Sequence, residues 1–324
     1  MLKPLVLGKQ SYPVNLIQGP LAGVSCAPFR LLTWRESQPA FTCTEMISCK
    51  TLLYQAKQNS RFTALHPDEG PVCFQLSSND PKELAEATQR ITAEGASLID
   101  LNCGCPVNKI RHKGAGSKLL SDATRLFQLI SAMKKNTHLP VSIKIRVAHD
   151  HADMCNQEIA KVVSDAGADF LIVHGRHWTE HYETPCHHDE IQFFVDHLTI
   201  PVIGNGDIAC ITSLQKMLAT GCAGVMIGRA GVGQPWLIRQ LMTEMRGEWF
   251  APPTPATIGK NFIEHIERLA LLLQNDKFAL LQARKLAKYY ARHLPNREGF
   301  CAGINACASL ENFTTTCEQF FGTV

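Results

Sequence analysis

Short β-rich runs alternate with amphipathic stretches along the first two-thirds of the chain. Each run of apolar and β-branched residues is followed by a segment whose apolar positions recur at helical spacing. The eight candidate strands are VNLIQG (14–19), FTCTEMI (41–47), VCFQL (72–76), SLIDLN (97–102), VSIKIR (141–146), DFLIVHG (169–175), PVIGNG (201–206) and AGVMIG (223–228). The candidate helices between them are 81–95, 122–135, 155–167, 188–197 and 211–220.

The number and order of these elements predict the fold class. Strand–helix units repeated eight times are typical of a (β/α)8 TIM barrel. A doubly wound sheet is the alternative, but it normally carries a G-x-G-x-x-G turn after its first strand, and this sequence has none there. The opening LVLGKQSYPVNLI is expected to add a short hairpin at the bottom of the barrel.

The pattern changes after residue 245. The stretch GEWFAPPTPATIGKN is rich in proline and is typical of a linker, and the residues beyond it have helical periodicity without a strand pattern. We therefore predict a barrel domain over residues 1–245, a linker over 246–257 and a small C-terminal α-helical domain over 258–324.

Composition narrows the class of protein. The chain has 324 residues, 45% of them hydrophobic, which is enough for a large core, and its net charge of +3 means that any basic surface must be local. No apolar run approaches the ~20 residues of a membrane span, and no signal-peptide pattern opens the chain, so a cytoplasmic protein is expected. The odd count of 13 cysteines indicates reduced thiols rather than a disulfide scaffold.

Polar and glycine residues follow several predicted strands, at the end of a barrel where active sites form. Burying many polar side chains in one mouth costs free energy unless a ligand binds them. The glycine-rich ends of the last two strands, together with Arg229, indicate a phosphate site, with a merely tight turn as the alternative. Lys144, on the inner face of a central strand, is expected to face either a negatively charged cofactor or a carbonyl substrate in a Schiff base.

Cys103 and Cys105 end the fourth predicted strand. A C-x-C pair is a weak metal signal, and the neighbouring histidine and cysteine groups do not match known ligand spacings, so no metal site is predicted. These groups are His112, then His149, His151 and Cys155, and then Cys186, His187 and His188. Because Gly104 and Pro106 favour a turn, only one thiol need enter the mouth. A thiol with an ordinary pKa near ~8.5 is protonated at neutral pH and can donate a proton.

Six segments in order carry a family resemblance: GPLAGV, DLNCGCP, KGAGSKLL, VHGR, NGDI and MIGRA. With these segments the chain resembles, over nearly its whole length, the tRNA-dihydrouridine synthases, a family of FMN-dependent barrel enzymes that reduce uridine in tRNA. The stretch ARKLAKYYARHLPN is most similar in texture to the bacterial B-type members.

The resemblance implies an FMN site and a catalytic acid. NADPH, or NADH, would reduce FMN, a hydride would pass from flavin N5 to uracil C6, and Cys105 would protonate C5. Asn102 would orient the flipped uracil, and Arg146 and Arg176 would contact the substrate nucleotide. The residues implied to bind the flavin ring are Pro20, Leu21, Ala22, Gln75, Lys144 and His174. Those implied to bind its phosphate are Asn205, Gly206, Asp207, Gly228 and Arg229.

Basic residues outside the mouth fit a tRNA partner. Lys109, Arg111 and Lys113, beside His112, would form a positive rim for backbone phosphates, with a solvated loop as the alternative. Arg284, Lys288 and Arg292 are spaced by four, which would place them in one stripe on a helix. A monomer is expected for so large a substrate.

The sequence also departs from the family pattern. Leu21 replaces the usual methionine, and His177 and Trp178 stand where a threonine and an arginine are usual. Trp178 is expected to compensate by stacking on a base. Three other functions stay open: a phosphate-binding barrel lyase using Lys144, a tRNA-binding protein with a vestigial flavin site, and an FMN barrel acting on a free pyrimidine.

Overall fold

The computed structural model describes residues 2–55, 60–148 and 153–322, and its strands form one hairpin and one barrel. The hairpin strands are β1 (Leu5–Leu7) and β2 (Gln10–Tyr12). The barrel strands are β3 (Leu16–Gln18), β4 (Thr42–Cys43) with the short β5 (Ile47–Ser48), β6 (Val72–Ser77), β7 (Leu98–Cys103), β8 (Val141–Arg146), β9 (Phe170–His174), β10 (Val202–Asn205) and β11 (Gly224–Ile227).

Parallel pairing closes these strands into a barrel. The order runs β3, β4, β6, β7, β8, β9, β10 and β11, and β11 pairs with β3 to complete the circle. β5 follows β4 along the chain and also pairs with β6. Each predicted strand overlaps an observed one, so the predicted (β/α)8 barrel is confirmed.

Helices follow the strands on the outside of the barrel. Helix α4 begins after Asp80, whose carboxylate accepts the N–H groups of Lys82 and Glu83, and α6 begins after Asp122, which accepts that of Arg125. The helices are α1 (Ala27–Ser37), α2 (Cys49–Tyr54), α3 (Ser60–Thr63), α4 (Pro81–Ala93), α5 (Asn108–Arg111), α6 (Ala123–Lys135), α7 (Asn156–Asp165), α8 (His188–His197), α9 (Ile211–Leu218), α10 (Leu237–Met245), α11 (Pro255–Leu273), α12 (Asp276–Tyr290), α13 (Arg297–Ala306) and α14 (Leu310–Phe321). Short 3₁₀ helices cover Gly116–Ser121 and Arg229–Gly231.

The barrel interior is apolar at the bottom and polar at the top. The hairpin residues Leu5 and Leu7 pack with Leu98 and Phe170 inside the lower barrel, so the predicted hairpin closes that end. Because side chains alternate along a strand, residues 98, 100 and 102 of β7 face inward. Leu98 is thus followed upward by Asp100 and Asn102, where the site begins.

The last four helices pack around their own apolar core and rest on the barrel. Cys26 and Trp236 of the barrel region join the cluster built by Phe262, Tyr290 and Phe313. Gly233 has a φ of +72°, and a Cβ there would lie 2.5 Å from the Tyr289 carbonyl carbon, so only glycine permits this approach. α11 begins at residue 255, inside the segment predicted as a linker. The domain boundaries themselves stay a prediction.

The described residues contain no helix long and apolar enough to cross a membrane. All 13 cysteines are free thiols, as the odd count indicated.

Candidate functional site

A cavity of about 870 Å³ opens at the carboxyl ends of the barrel strands. It is lined by residues from most of the βα loops, from the C-terminal end of α12 and from the chain just after α12. The predicted site residues that line it are Pro20, Leu21, Ala22, Gln75, Asn102, Cys105, Lys144, Arg146, His174, Arg176, Asn205, Gly206, Asp207, Gly228, Arg229 and Arg292.

A buried hydrogen-bond chain crosses the cavity floor from β8 to the cysteine loop. The Ser142 hydroxyl donates to Asp100 across 2.6 Å, and the amide nitrogen of Gln75 donates to the other carboxylate oxygen across 2.8 Å. Asn102 donates to the Gln75 oxygen across 2.8 Å. The Asn102 oxygen in turn accepts the backbone N–H of Cys105 at 3.0 Å. The side chains that form the floor are therefore fixed before any ligand binds.

Two charged groups meet on this floor with shifted pKa values. Burial raises the pKa of Asp100 to about 7, although hydrogen bonds from Ser142 and Gln75 and the charge of Lys144 oppose the rise. Burial lowers the pKa of Lys144 to about 8, with Asp100 opposing the shift. The Lys144 Nζ donates to the Asn205 side-chain oxygen across 2.9 Å. The lysine is thereby held against the cavity wall.

His174 is a neutral hydrogen-bonding group. Burial and the neighbouring cations, Lys144 first among them, hold its pKa far below the usual range. Its Nε2 lies 3.2 Å from Nη1 of Arg176, and a guanidinium can only donate, so Nε2 accepts. The ring proton therefore sits on Nδ1.

The loop after β7 presents one of its two thiols to the cavity. Cys103 is buried on the outer face of the strand, whereas Cys105 lines the cavity. The Cys105 carbonyl accepts the N–H of Ser117 at 3.0 Å and its hydroxyl at 3.1 Å. Gly116 has a φ of +63°, and a Cβ there would lie 2.7 Å from the same carbonyl oxygen. The KGAGS segment thus folds back onto the cysteine.

The ends of β10 and β11 form the predicted phosphate side of the cavity. Gly228 faces open space, since a Cβ built there would meet nothing within 4 Å. The Arg229 guanidinium lies 3.6 Å from the centre of the Tyr182 ring and 4.0 Å from Asp207. Lys144 and Arg229, two cationic side chains, line the same cavity as the side-chain amides of Gln75 and Asn102. This donor set fits an anionic cofactor that carries both a polar ring and a phosphate.

Arg176 lines the cavity and is held by hydrogen bonds within the fold. It is only 1% exposed, and its guanidinium donates to both Asp207 oxygens at 2.6 Å and to the carbonyls of Tyr182 and Thr184. Its donors are used within the fold because it anchors the loop after β9 to the phosphate side. Its contact to the substrate nucleotide stays a prediction.

The residues of the predicted basic rim differ in exposure. Lys109 and Lys113 are exposed outside the cavity, as a phosphate contact requires. Arg111 is half-buried, and its guanidinium lies 3.4 Å from the centre of the Trp178 ring. The indole nitrogen of Trp178 donates to Asp153 across 2.9 Å. Arg111 thus occupies one face of the ring that was expected to stack on a base.

The predicted C-terminal stripe is also divided. Arg284 and Lys288 are exposed on α12, with Arg284 donating to the Cys307 carbonyl at 3.2 Å. Arg292 lies beyond the end of the helix and reaches the cavity wall, where it donates to the carbonyls of Ala230 at 3.3 Å and Val232 at 3.2 Å. It therefore joins the helical region to the phosphate side.

Several site residues were not predicted. Asp100 and Ser142 are buried polar residues on the inner faces of β7 and β8, and an acid inside an apolar run was the available signal for Asp100. Tyr182 and Tyr289 line the cavity from outside the predicted strand ends, where the pattern offers no signal.

One group of metal-capable side chains occurs within the described ranges: His177, Glu180 and His187. Glu180 accepts the His177 backbone N–H at 2.6 Å and lies 2.8 Å from His187 Nε2. These bonds tie the loop after β9 together. Two of the histidines that the sequence offers as possible metal ligands, His149 and His151, lie outside the described residues. The absence of a metal stays a prediction.

Comparisons with known proteins agree with the segments noted in the sequence. The family model described as Dihydrouridine synthase (Dus) matches residues 17–323. The "tRNA-dihydrouridine synthase B" of Pseudomonas aeruginosa is 32% identical over 97% of this chain and 95% of its own length. The Escherichia coli K12 protein of the same name is 31% identical over 97% of this chain and 99% of its own length. The "Probable tRNA-dihydrouridine synthase 1" of Synechocystis is 34% identical over 90% of this chain and 82% of its own length.

Among solved structures, "Morphinone reductase" superposes with a TM-score of 0.55 at 13% identity, covering 79% of this chain and 91% of that one. At this identity the likeness concerns the barrel fold alone.

Proposed function

Since the chain belongs to the dihydrouridine synthase family, we propose that it reduces uridines in tRNA to 5,6-dihydrouridine, with FMN as its bound cofactor and NADPH as the reductant. NADH is the alternative reductant. The observation that carries the proposal is that one cavity brings Cys105 together with the cationic and amide groups suited to FMN.

The cofactor would be held by residues from both sides of the cavity. Lys144, Gln75 and His174 would meet the polar parts of the ring, and Pro20, Leu21 and Ala22 would lie against it. The backbone from Asn205 to Asp207, with Gly228 and Arg229, would hold the phosphate. When bound, the reduced flavin supplies the hydride that uracil accepts at C6.

The chain's own residues orient the base and supply a proton. The Asn102 amide carries two N–H groups, of which one reaches Gln75 and the other can meet a uracil carbonyl. Cys105 would give its thiol proton to C5, where negative charge develops during reduction. Its backbone is held on both sides, by Asn102 and by Ser117, so the peptide that carries the thiol is fixed before the base arrives.

The tRNA would approach over a positive surface. Lys109 and Lys113 rise from the loop beside Cys105, and Arg284 and Lys288 lie on α12. Phosphate contacts of this kind position an RNA without reading its sequence. The target uridine must leave the stack to enter the cavity. Arg146, which lines the cavity itself, is proposed as a further contact to the nucleotide.

The test is to incubate purified protein with unmodified tRNA transcript and NADPH, and to measure dihydrouridine by nucleoside mass spectrometry. The protein should show a flavin absorption spectrum and form dihydrouridine only when the reductant is present. A flavin-loaded protein that forms no product contradicts the proposed reaction and favours the tRNA-binding alternative. A colourless, inactive protein contradicts the FMN site and favours the Lys144 lyase.

A further inference from the structure

Trp178 connects three loops at the rim of the cavity. It lies in the loop after β9, and its indole nitrogen donates to Asp153 in the loop after β8 across 2.9 Å. Its ring faces the guanidinium of Arg111, in α5 after β7, at 3.4 Å. Loops that follow three neighbouring strands therefore meet at one side chain.

From Arg111 the contacts continue to the cysteine. The Nη1 of Arg111 donates to the Ser117 hydroxyl across 2.7 Å, and that hydroxyl donates to the Cys105 carbonyl across 3.1 Å. A hydroxyl donates one proton and can still accept, so Ser117 serves both neighbours at once. Asn102 holds the N–H side of Cys105 from within the barrel. The peptide groups on both sides of the thiol are thus restrained, one from the floor and one from the rim.

We infer that Trp178 and Arg111 form a brace that positions Cys105, and the catalytic consequence of this inference rests on the proposed function. A guanidinium stacked on an indole is restrained as a plane, so its fork stays aimed at Ser117. This brace gives Arg111 and Trp178 roles other than phosphate contact and base stacking.

The first test measures the alkylation rate of Cys105 by iodoacetamide, resolved by peptide mass spectrometry, in protein without tRNA. Trp178→Ala should raise the rate about tenfold, because the carbonyl side of the loop loses its support. Trp178→Phe, which keeps an aromatic face, should stay within about threefold of the wild type. Cys210, which is exposed at the start of α9 and lies in none of the three loops, serves as the reference in the same sample and should not change.

Arg111→Lys separates the brace from a phosphate contact. Lysine keeps the charge but lacks the planar fork, so a brace should fail and Cys105 should react as fast as in Trp178→Ala. A phosphate contact would tolerate the change. Lys109→Ala is the matched control, since it removes a neighbouring charge on the same short helix. It should leave the alkylation rate of Cys105 unchanged.

Kinetics on tRNA give the second readout. Trp178→Ala and Arg111→Lys should lower kcat about tenfold with little change in the KM for tRNA, because the acid is misplaced while the RNA surface is intact. Unchanged Cys105 alkylation in both variants, or a raised KM with unchanged kcat, would overturn the brace. If the wild type forms no dihydrouridine, the proposed function fails separately, because the alkylation test uses neither reductant nor tRNA.

Discussion

The side-chain oxygen of Asn102 accepts the backbone N–H of Cys105 at 3.0 Å, so a residue on the cavity floor holds the proposed acid in place. The direction of this bond follows from Asp100. Asp100 accepts the Gln75 side-chain nitrogen, and this leaves the Gln75 oxygen to face Asn102. The Asn102 oxygen is thereby turned toward Cys105.

Removing the acceptor at position 100 should therefore disturb a residue that it does not touch. In Asp100→Ala the Gln75 amide loses its buried acceptor and can turn either way, so we expect kcat to fall about 10- to 100-fold. Asp100→Asn keeps an oxygen that can accept from Gln75, so its kcat should stay within about fivefold of the wild-type value. Steady-state kinetics on tRNA measure both. Equal activity in the two variants would contradict this role for Asp100.

The raised pKa of Asp100 predicts a pH dependence of stability. Burial moves this pKa from its ordinary value of 3.8 to about 7 in the fold, so the native state binds the proton more tightly than the unfolded chain. This contribution to stability is present at low pH and is lost as pH rises from about 4 to about 7. The lowered pKa of Lys144 acts above pH 7, outside this window.

Urea denaturation of the wild type and Asp100→Asn between pH 5 and pH 7 isolates that contribution. The wild type should lose stability relative to the variant as pH rises, by at most about 1.4 kcal/mol per pH unit. A difference between the two proteins that does not vary with pH would show that Asp100 does not titrate in this range.

Tyr182 and Arg229 should act together in cofactor binding. Arg229→Ala removes a charge-assisted phosphate contact, so we expect FMN to bind about 10- to 100-fold more weakly. Tyr182→Ala should have a smaller effect, about threefold, because the guanidinium loses the ring it rests on at 3.6 Å. Tyr182→Phe keeps the ring and is the control. Quenching of FMN fluorescence by the apoprotein measures all three, and wild-type affinity in Arg229→Ala would contradict the phosphate assignment.

Lys288 should contribute to tRNA affinity through charge alone. Lys288→Ala is expected to weaken binding and to reduce the slope of log affinity against log salt by about one. Lys135→Ala is the control, because Lys135 is exposed at the C-terminal end of α6, at the opposite end of the barrel. Filter binding over a salt series gives both slopes. An equal effect of the two variants would mean that α12 holds no particular part of the RNA surface.

The barrel could be predicted because the hydrophobic periodicity agrees with the residues that start and stop the helices along the chain. Asp80, Asp122 and the glycines after the helices give start and stop signals that do not depend on distant contacts. The cavity residues were predictable for a related reason, since they follow strand ends that must share one rim. Their roles came from the family resemblance rather than from the pattern.

The contacts that differed from expectation are all tertiary. The sequence predicts Arg111 on the basic rim and Arg176 in the mouth, but the fold brings Trp178 to one and Asp207 to the other. Arg292 continues a spacing of four, yet α12 ends at Tyr290 and the arginine turns into the cavity. Partners far apart in sequence decide each case, and a single chain's pattern carries no information about them.

The most direct test of the account compares dihydrouridine formation by the wild type and Cys105→Ala on the same tRNA with NADPH, with Cys155→Ala as the exposed-thiol control. We expect Cys105→Ala to lose about 10²- to 10⁴-fold in rate while keeping its bound flavin, and Cys155→Ala to match the wild type. A Cys105→Ala protein that forms dihydrouridine at the wild-type rate would contradict the assignment of Cys105 as the acid.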